Sequence, residues 1–287
     1  MTHVVVDGAP TKAQKYMENI IQELISETGR SNDRHSISGV ELKNKEVLQD
    51  AVKVAKALKS LGIQRGDTAC FISWNSVEFA KVFYGCLFAG VVNTSIVDLA
   101  TSYEICHCLK TSNAKIIFSE QHKLNDVQKA LKDSKIDCPV VLLNCKNNDP
   151  VVTYNGIHYN DFISNQNDIE TEPDDVMVLT LTSGSTGLGV PKLAMTTYKS
   201  FVAQAATPWY TAIYDVPHPT RMMFLMFSAQ WMANVFIFLT FPIFGVPLLV
   251  TSESPSYDTL INCFRKYQVN TNKYPLFILN CGRLIAV

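Results

Sequence analysis

The chain has 287 residues, of which 47% are hydrophobic and 18% are charged, so intrinsic disorder is excluded and a large core is expected. Its 25 lysines and arginines against 26 aspartates and glutamates leave a net charge of -1, without the basic surplus that nucleic-acid binding needs. Eight cysteines are too few for a secreted disulfide scaffold, and the first residues have no signal-peptide pattern. We therefore expect a soluble globular protein of the cell interior that binds no nucleic acid.

Helices and strands alternate from the start of the patterned region. Apolar residues at helical spacing predict a helix over 47–58, closed by Gly62, and a strand of small and apolar residues over 68–73. A second helix over 77–89 follows an N-cap at Asn75-Ser76 and leads to a strand over 91–95. The pattern is typical of a parallel sheet with helical crossovers.

The alternation continues through the next fifty residues. Thr101 and Glu104 have the spacing of a capping box and start a third helix, which precedes a strand over 115–119. A shorter helix over 126–131 leads to a strand over 139–144. We therefore predict an α/β fold, with doubly wound and mostly parallel sheets flanked by helices.

The tripeptide Cys106-His107-Cys108 contains three potential metal ligands. Its spacing differs from the two to four residues between the ligands of zinc sites, and no second cysteine pair completes four ligands. Most cysteines of the chain lie in apolar runs, where cysteine behaves as a small hydrophobic residue. We interpret the cysteines as structural and predict no metal site.

An apolar block over 222–250 allows two interpretations. Residues 222–252 carry no charge, and the length of the block is enough for a transmembrane helix. Two prolines at 242 and 247 and the amides of Gln230 and Asn234 disfavour a spanning helix. We favour a buried helix over 231–239, a turn over 242–245 and a buried strand over 246–251.

A run of hydroxyls and glycines follows a predicted buried strand over 176–181. Its sequence is Thr182-Ser183-Gly184-Ser185-Thr186-Gly187-Leu188-Gly189-Val190-Pro191-Lys192. Glycines allow backbone N–H groups to surround a phosphate, hydroxyls add donors, and the lysine supplies positive charge. The P-loop motif fails because Val190-Pro191 stands where Lys-Ser/Thr is required. A flexible Ser/Gly loop without function is the alternative interpretation.

The same run resembles the signature phosphate loop of the adenylate-forming superfamily, which includes firefly luciferase, 4-coumarate–CoA ligase and fatty acyl-CoA synthetases. The similarity spans about residues 35–270 and is greatest to insect luciferase-like acyl-CoA ligases. Further matches occur in the family order at Gly62-Ile63-x-x-Gly66-Asp67, Asn75-Ser76-x-Glu78-Phe79, Gly85 with Gly90, and Ser112-x-x-Lys115-Ile116-Ile117-Phe118.

The resemblance implies a two-step acid–thiol ligation. A carboxylic acid, fatty or aromatic, reacts with ATP and Mg²⁺ to give an acyl-adenylate, and the thiol of coenzyme A then displaces AMP. The resemblance assigns the ATP phosphates to Thr182, Ser183, Gly184, Ser185, Thr186, Gly187 and Lys192. It places Gln230 and Trp231 at the wall of the carboxylic-acid pocket, where many relatives carry a histidine. Trp231 in the hydrophobic core is the alternative interpretation.

The resemblance covers only the N-terminal part of a family member. We expect a first α/β portion over 1–145, a polar connection over 146–175, a phosphate-loop and pocket portion over 176–270, and a divergent tail over 271–287. The family's adenine, ribose and C-terminal lysine motifs are missing, so the sequence predicts a truncated isoform without the C-terminal lid domain and without activity alone. The alternative is a non-catalytic nucleotide- or acyl-binding remnant with a regulatory role, and a membrane-associated protein is a third, weaker hypothesis.

The resemblance also bears on location and association. Relatives often end in a peroxisomal Ser-Lys-Leu address, whereas this chain ends in Leu284-Ile285-Ala286-Val287, so we expect this form in the cytoplasm although the family is associated with peroxisomes. In a full family member, later elements would cover the apolar block over 222–250. Without them, we expect apolar surface to be exposed and self-association to be favoured.

Overall fold

The computed structural model describes residues 34–37, 40–144, 156–163, 174–182, 191–206, 223–225, 230–243 and 248–250. Eleven strands and seven α-helices lie within these residues, together with a short 3-10 helix over Gln121–Lys123. The strands are β1 (Arg34–Ile37), β2 (Val40–Lys43), β3 (Thr68–Ile72), β4 (Val92–Ile96), β5 (Ala114–Glu120), β6 (Val140–Leu143), β7 (Gly156–His158), β8 (Val176–Leu181), β9 (Leu193–Thr197), β10 (Met223–Leu225) and β11 (Leu248–Val250). The helices are α1 (Asn44–Ser60), α2 (Val77–Phe88), α3 (Ser102–Ser112), α4 (Leu124–Ser134), α5 (Tyr159–Phe162), α6 (Tyr198–Ala206) and α7 (Met232–Ile243).

A seven-stranded sheet forms the centre of the described structure. Its strand order is β7-β6-β5-β3-β4-β8-β9, and every neighbouring pair is parallel except β8 and β9. In the parallel register, Cys70 of β3 lies between Thr94 of β4 and Ile117 of β5. The chain winds first to one side of β3 and then to the other, which is the doubly wound arrangement that the sequence predicts.

Both faces of the sheet are covered by helices. Along β3, Ala69 and Phe71 pack into a cluster with α1 and α2, while Cys70 and Ile72 pack into a second cluster with α3 and α4. Successive side chains of a strand point to opposite faces, so a strand buried on both sides needs a continuous apolar run. The prediction of a mostly parallel α/β sheet flanked by helices is therefore confirmed.

The predicted helix starts and ends agree with the structure. The Ser76 side chain accepts a hydrogen bond from the Phe79 N–H at the start of α2, and Thr101 and Glu104 form the full capping box of α3. Gly62 follows α1 with a φ of +79°, a conformation in which glycine avoids the steric cost of a side chain. These helix ends could be predicted because hydrogen bonds between residues a few positions apart determine them.

The helices α1 and α2 approach each other closely at Gly85. A Cβ atom at this position would lie 2.8 Å from the carbonyl oxygen of Ala51 and still closer to the Val54 side chain. The glycine is therefore required by the contact of two helices and not by a turn.

A second, four-stranded sheet has the order β10-β11-β1-β2. Two of its strands, Met223–Leu225 and Leu248–Val250, come from the apolar block, with the helix Met232–Ile243 between them. The predicted buried helix and strand are thus both present, although the helix continues through Pro242, where we expected a turn. Among the described residues, no helix has the length and apolar character that a bilayer crossing requires.

Within the region 146–175, the described residues 156–163 differ from the surface connection that we expected. Residues 156–158 form the edge strand β7, which pairs with β6, and the helix Tyr159–Phe162 follows directly. Tyr159 and Phe162 are buried in the cluster beneath α1 and α2. The strand is only three residues long and contains glycine and histidine, so its sequence carries little strand signal.

Candidate functional site

The strands on either side of the predicted phosphate loop form an antiparallel hairpin. Leu181 of β8 is paired with Leu193 of β9, and the pairing continues one residue beyond the strands. There the Thr182 N–H donates to the Lys192 carbonyl at 2.8 Å, and the Lys192 N–H donates to the Thr182 hydroxyl oxygen at 3.0 Å. Thr182 and Lys192 are both exposed, so the base of the loop is closed while its two polar residues face solvent.

The structure brings together two of the predicted phosphate-binding residues. Thr182 and Lys192 are ten positions apart in sequence and are joined by two hydrogen bonds. The remaining residues of the prediction, Ser183, Gly184, Ser185, Thr186 and Gly187, lie outside the described residues, as do Gly189 and Val190. Their contact with phosphate stays a prediction.

The hairpin leaves the sheet at the carboxyl end of a parallel strand. β8 is parallel to β4, and the residues after both strands therefore lie at the same edge of the sheet. Ligands of open α/β sheets bind outside this edge. The hydroxyl of Thr182 and the ammonium group of Lys192, at the two ends of the loop, have the chemistry to hold an anion at this edge.

An ion pair fixes the start of β8. Two guanidinium nitrogens of Arg65 contact the two carboxylate oxygens of Asp175, at 2.6 and 2.7 Å, across 110 positions of sequence. Tyr198, the first residue of α6, directly follows β9; its hydroxyl donates to the Leu87 carbonyl at 2.6 Å, and burial raises the pKa of this tyrosine. Arg65 lies in the turn before β3, and Leu87 lies on α2. The two contacts therefore attach the hairpin to this turn and to α2.

A histidine that the sequence did not identify as a site residue touches the loop. The Nε2 atom of His107, on α3, lies 3.2 Å from the carbonyl oxygen of Pro191, the residue before Lys192. The neighbouring Cys108 thiol points elsewhere, with its sulfur 3.9 Å from the sulfur of Cys70 inside the core. His107 and Cys108 therefore serve different parts of the structure, and among the described residues no group of three potential ligands could hold a metal ion.

The two predicted pocket residues lie at the start of α7. The carbonyl of Trp231 accepts the N–H groups of Asn234 and Val235, at 2.8 and 3.2 Å, and so begins the helix. The Trp231 side chain is 59% exposed, which contradicts the interpretation of this residue as part of the core. Gln230 precedes it and is half-buried.

Met232 connects this helix start to the hairpin. Its sulfur accepts hydrogen bonds from the hydroxyls of Thr180 on β8 and Thr196 on β9, at 3.5 and 4.0 Å. Trp231, whose ring is exposed, is therefore the neighbour in sequence of Met232, which packs on both strands of the hairpin. The structure places the predicted pocket residues next to the strands that carry the predicted phosphate loop.

The chain is similar in sequence to a known protein family and to several plant enzymes. The family described as AMP-binding enzyme matches residues 29–275. The chain is 31% identical over 182 residues to 4-coumarate:CoA ligase 1 of Petunia hybrida and 32% identical over 181 residues to 4-coumarate–CoA ligase 2 of Solanum tuberosum. These matches cover 62% and 61% of this chain and 30% of each plant enzyme, so the chain spans less than a third of the relatives it matches.

Solved structures show the same fold. The luciferase-like enzyme from the nonluminescent mealworm Zophobas morio superposes with a TM-score of 0.73 at 18% identity, over 93% of this chain and 60% of that protein. A benzoate CoA ligase from Burkholderia xenovorans superposes with a TM-score of 0.69 at 17% identity, over 87% of this chain and 48% of that protein. Since the family match extends over most of its residues, the chain belongs to the AMP-binding enzyme family.

Proposed function

We propose that these 287 residues form the nucleotide-phosphate-binding part of an acid–thiol ligase. The reaction is ATP-dependent activation of a fatty or aromatic carboxylic acid, followed by transfer of the acyl group to coenzyme A. Family membership and the plant 4-coumarate–CoA ligase relatives support the reaction class. The supporting observation within the chain is the closed hairpin base that pairs Thr182 with Lys192.

The chemistry of the first step explains the residue types of the loop. A carboxylate oxygen attacks the α-phosphorus of ATP, and the bond to the leaving pyrophosphate breaks. Catalysis of such transfers depends on positioning and on neutralising the phosphate charge. We infer that the Lys192 ammonium and the hydroxyls of Thr182, Ser183, Ser185 and Thr186 hold the β- and γ-phosphates, while Gly184 and Gly187 allow close backbone approach. Mg²⁺ would enter with ATP and neutralise further charge.

The second step uses the acyl-adenylate as its substrate. The thiolate of coenzyme A attacks the acyl carbon, and AMP leaves with the electron pair of the broken bond. We propose that Gln230 and Trp231 line one wall of the carboxylic-acid pocket. The support is the exposed indole ring, which would offer an apolar surface to an acyl chain or an aromatic ring.

Binding of MgATP to the 287-residue chain tests this function. Titration calorimetry should detect binding, and Lys192→Ala should weaken it at least tenfold because a charge-assisted contact is lost. Lys199→Ala is the matched control, since Lys199 is an exposed lysine on the following helix and should leave the affinity unchanged. Absence of MgATP binding, or equal affinities of the wild type and Lys192→Ala, would contradict the proposal.

ATP–pyrophosphate exchange separates catalysis from binding. The family resemblance places the adenine, ribose and C-terminal lysine motifs outside the 287 residues tested, so we expect no exchange with 4-coumarate, benzoate or a fatty acid. Binding without exchange would support the nucleotide-binding alternative for this polypeptide. Exchange above background that disappears in Lys192→Ala would show that it is an enzyme by itself.

A further inference from the structure

We propose that His107 is a positioning residue for the phosphate loop and that it acts by holding the carbonyl group of Pro191. The inference rests on the proposed phosphate-binding function of Lys192. Its basis is the contact between His107 Nε2 and the Pro191 oxygen, at 3.2 Å, between residues 84 positions apart. A carbonyl oxygen can only accept, so the contact requires a proton on Nε2 of His107.

This contact completes the backbone hydrogen bonding immediately before and at Lys192. Pro191 has no N–H group, so its backbone takes part in hydrogen bonding only through the carbonyl that His107 contacts. The N–H and the carbonyl of Lys192 are both bonded to Thr182. The Cα atom of the lysine is therefore held from two sides, by the opposite strand and by a helix on a face of the sheet.

The helix that carries His107 is itself firmly placed. Its first turn is closed by the Thr101–Glu104 capping box, and Ile105, Cys108 and Leu109 are completely buried against the sheet. The hydroxyl of Thr111 donates to the His107 carbonyl at 2.8 Å and lies 3.5 Å from Nε2. A side chain on such a helix fixes a loop more precisely than a contact between two loops.

Displacement of the lysine is the expected consequence of losing the contact. Phosphate binding depends on the position of the charge, and a shift of about 1 Å in a binding group is enough to reduce its effect. His107 itself need not touch phosphate for this effect. The role of His107 is thus separable from charge neutralisation by Lys192.

Three variants of the full chain test the inference through MgATP affinity. His107→Leu removes the donor and keeps the side-chain volume, and we expect about two- to tenfold weaker binding. His107→Gln carries an amide N–H near the position of Nε2 and should restore the affinity to within about twofold. His122→Leu is the control, since this exposed histidine pairs with Asp98 and has no contact with the hairpin in the described structure.

The outcomes distinguish this inference from the proposed function. Wild-type affinity in His107→Leu, or equally weak binding of His107→Gln, would overturn the positioning role. If the wild type does not bind MgATP, the proposed function fails, and hydrogen exchange of the Lys192 amide then tests the positioning role by itself. Faster exchange in His107→Leu but not in His107→Gln supports that role. Unchanged exchange overturns it. Should His107→Leu not unfold cooperatively, His107→Asn, whose amide is too short to reach Pro191, replaces it with the same expected effect.

Discussion

The Tyr84 hydroxyl donates a hydrogen bond of 2.8 Å to the backbone carbonyl of Phe238, and the two rings stack with their centroids 5.0 Å apart. Phe238 lies four residues before Pro242, which has no N–H group to offer to that carbonyl. The tyrosine therefore replaces the missing helical donor from a neighbouring helix. We infer that this contact allows α7 to continue through the proline.

Removing the Tyr84 hydroxyl should expose this dependence. We expect Tyr84→Phe to lower the free energy of unfolding by about 1–3 kcal/mol, because the Phe238 carbonyl loses its donor in the core. Urea denaturation measures the change, and Tyr103→Phe, at a tyrosine that is 80% exposed, is the control. Pro242→Ala would restore the helical N–H, so it should reduce the cost of Tyr84→Phe; an unchanged cost would contradict this explanation.

Gly85→Ala should destabilise the packing of α1 against α2. The new Cβ atom would clash with the Val54 side chain and the Ala51 carbonyl, and overpacking of this kind costs about 1–3 kcal/mol. In a Val54→Ala background the nearest clashing atom, Val54 Cγ1, is absent while Val54 Cβ remains, so Gly85→Ala should cost less there than in the wild type but still cost something. Thermal melting of Gly85→Ala, Val54→Ala and the double variant measures the effect, and an equal cost of Gly85→Ala in both backgrounds would show that the clash with Val54 Cγ1 is not its cause.

The Glu104 carboxylate should give α3 a pH-dependent contribution to stability. Hydrogen bonds from the Thr101 N–H and hydroxyl hold the pKa of Glu104 below its ordinary value of 4.5. A carboxylate whose pKa is lowered by folding stabilises the protein above that ordinary value, and the contribution is lost as the pH falls through the lowered value. Since the group is exposed, we expect Glu104→Gln to cost less than about 1 kcal/mol at pH 7.

The measurement compares urea midpoints of the wild type and Glu104→Gln between pH 7 and pH 3. The glutamine keeps an acceptor for Thr101, so the comparison isolates the charge. The difference should shrink as the pH decreases. A difference that grows at low pH would contradict the assignment.

The Cys70 and Cys108 thiols should resist alkylation in the native protein. Both are completely buried. Their mutual contact raises the pKa of Cys70 and lowers that of Cys108, so the resistance of Cys108 rests on its burial. Cys138 is half-buried, and burial raises its pKa to about 11, so it should react slowly but before the other two. Peptide mass spectrometry after iodoacetamide treatment at pH 8, with and without urea, gives the order; early labelling of Cys70 would show that α3 separates from the sheet.

Local signals explain which parts of the fold could be predicted. The capping box of α3 needs only Thr101 and Glu104, three residues apart, and Gly62 ends α1 through its own backbone conformation. The short strand Gly156–His158 could not be predicted, because its pairing with β6 and not its composition makes it a strand. The carbonyl that Pro242 leaves without a helical donor likewise finds its partner in Tyr84, which is 154 positions away from Phe238.

The sequence by itself determined the alternation of strands and helices and the family-like glycine and hydroxyl loop between Thr182 and Lys192, because hydrophobic periodicity and backbone chemistry act over a few residues. Only the tertiary structure decided which distant groups contact the hairpin that carries that loop. His107 reaches Pro191 and Arg65 reaches Asp175 because parallel strands require long crossovers, which bring residues 84 and 110 positions apart to neighbouring places. Such pairs cannot be predicted from sequence spacing, because their contact depends on the strand order of the whole sheet.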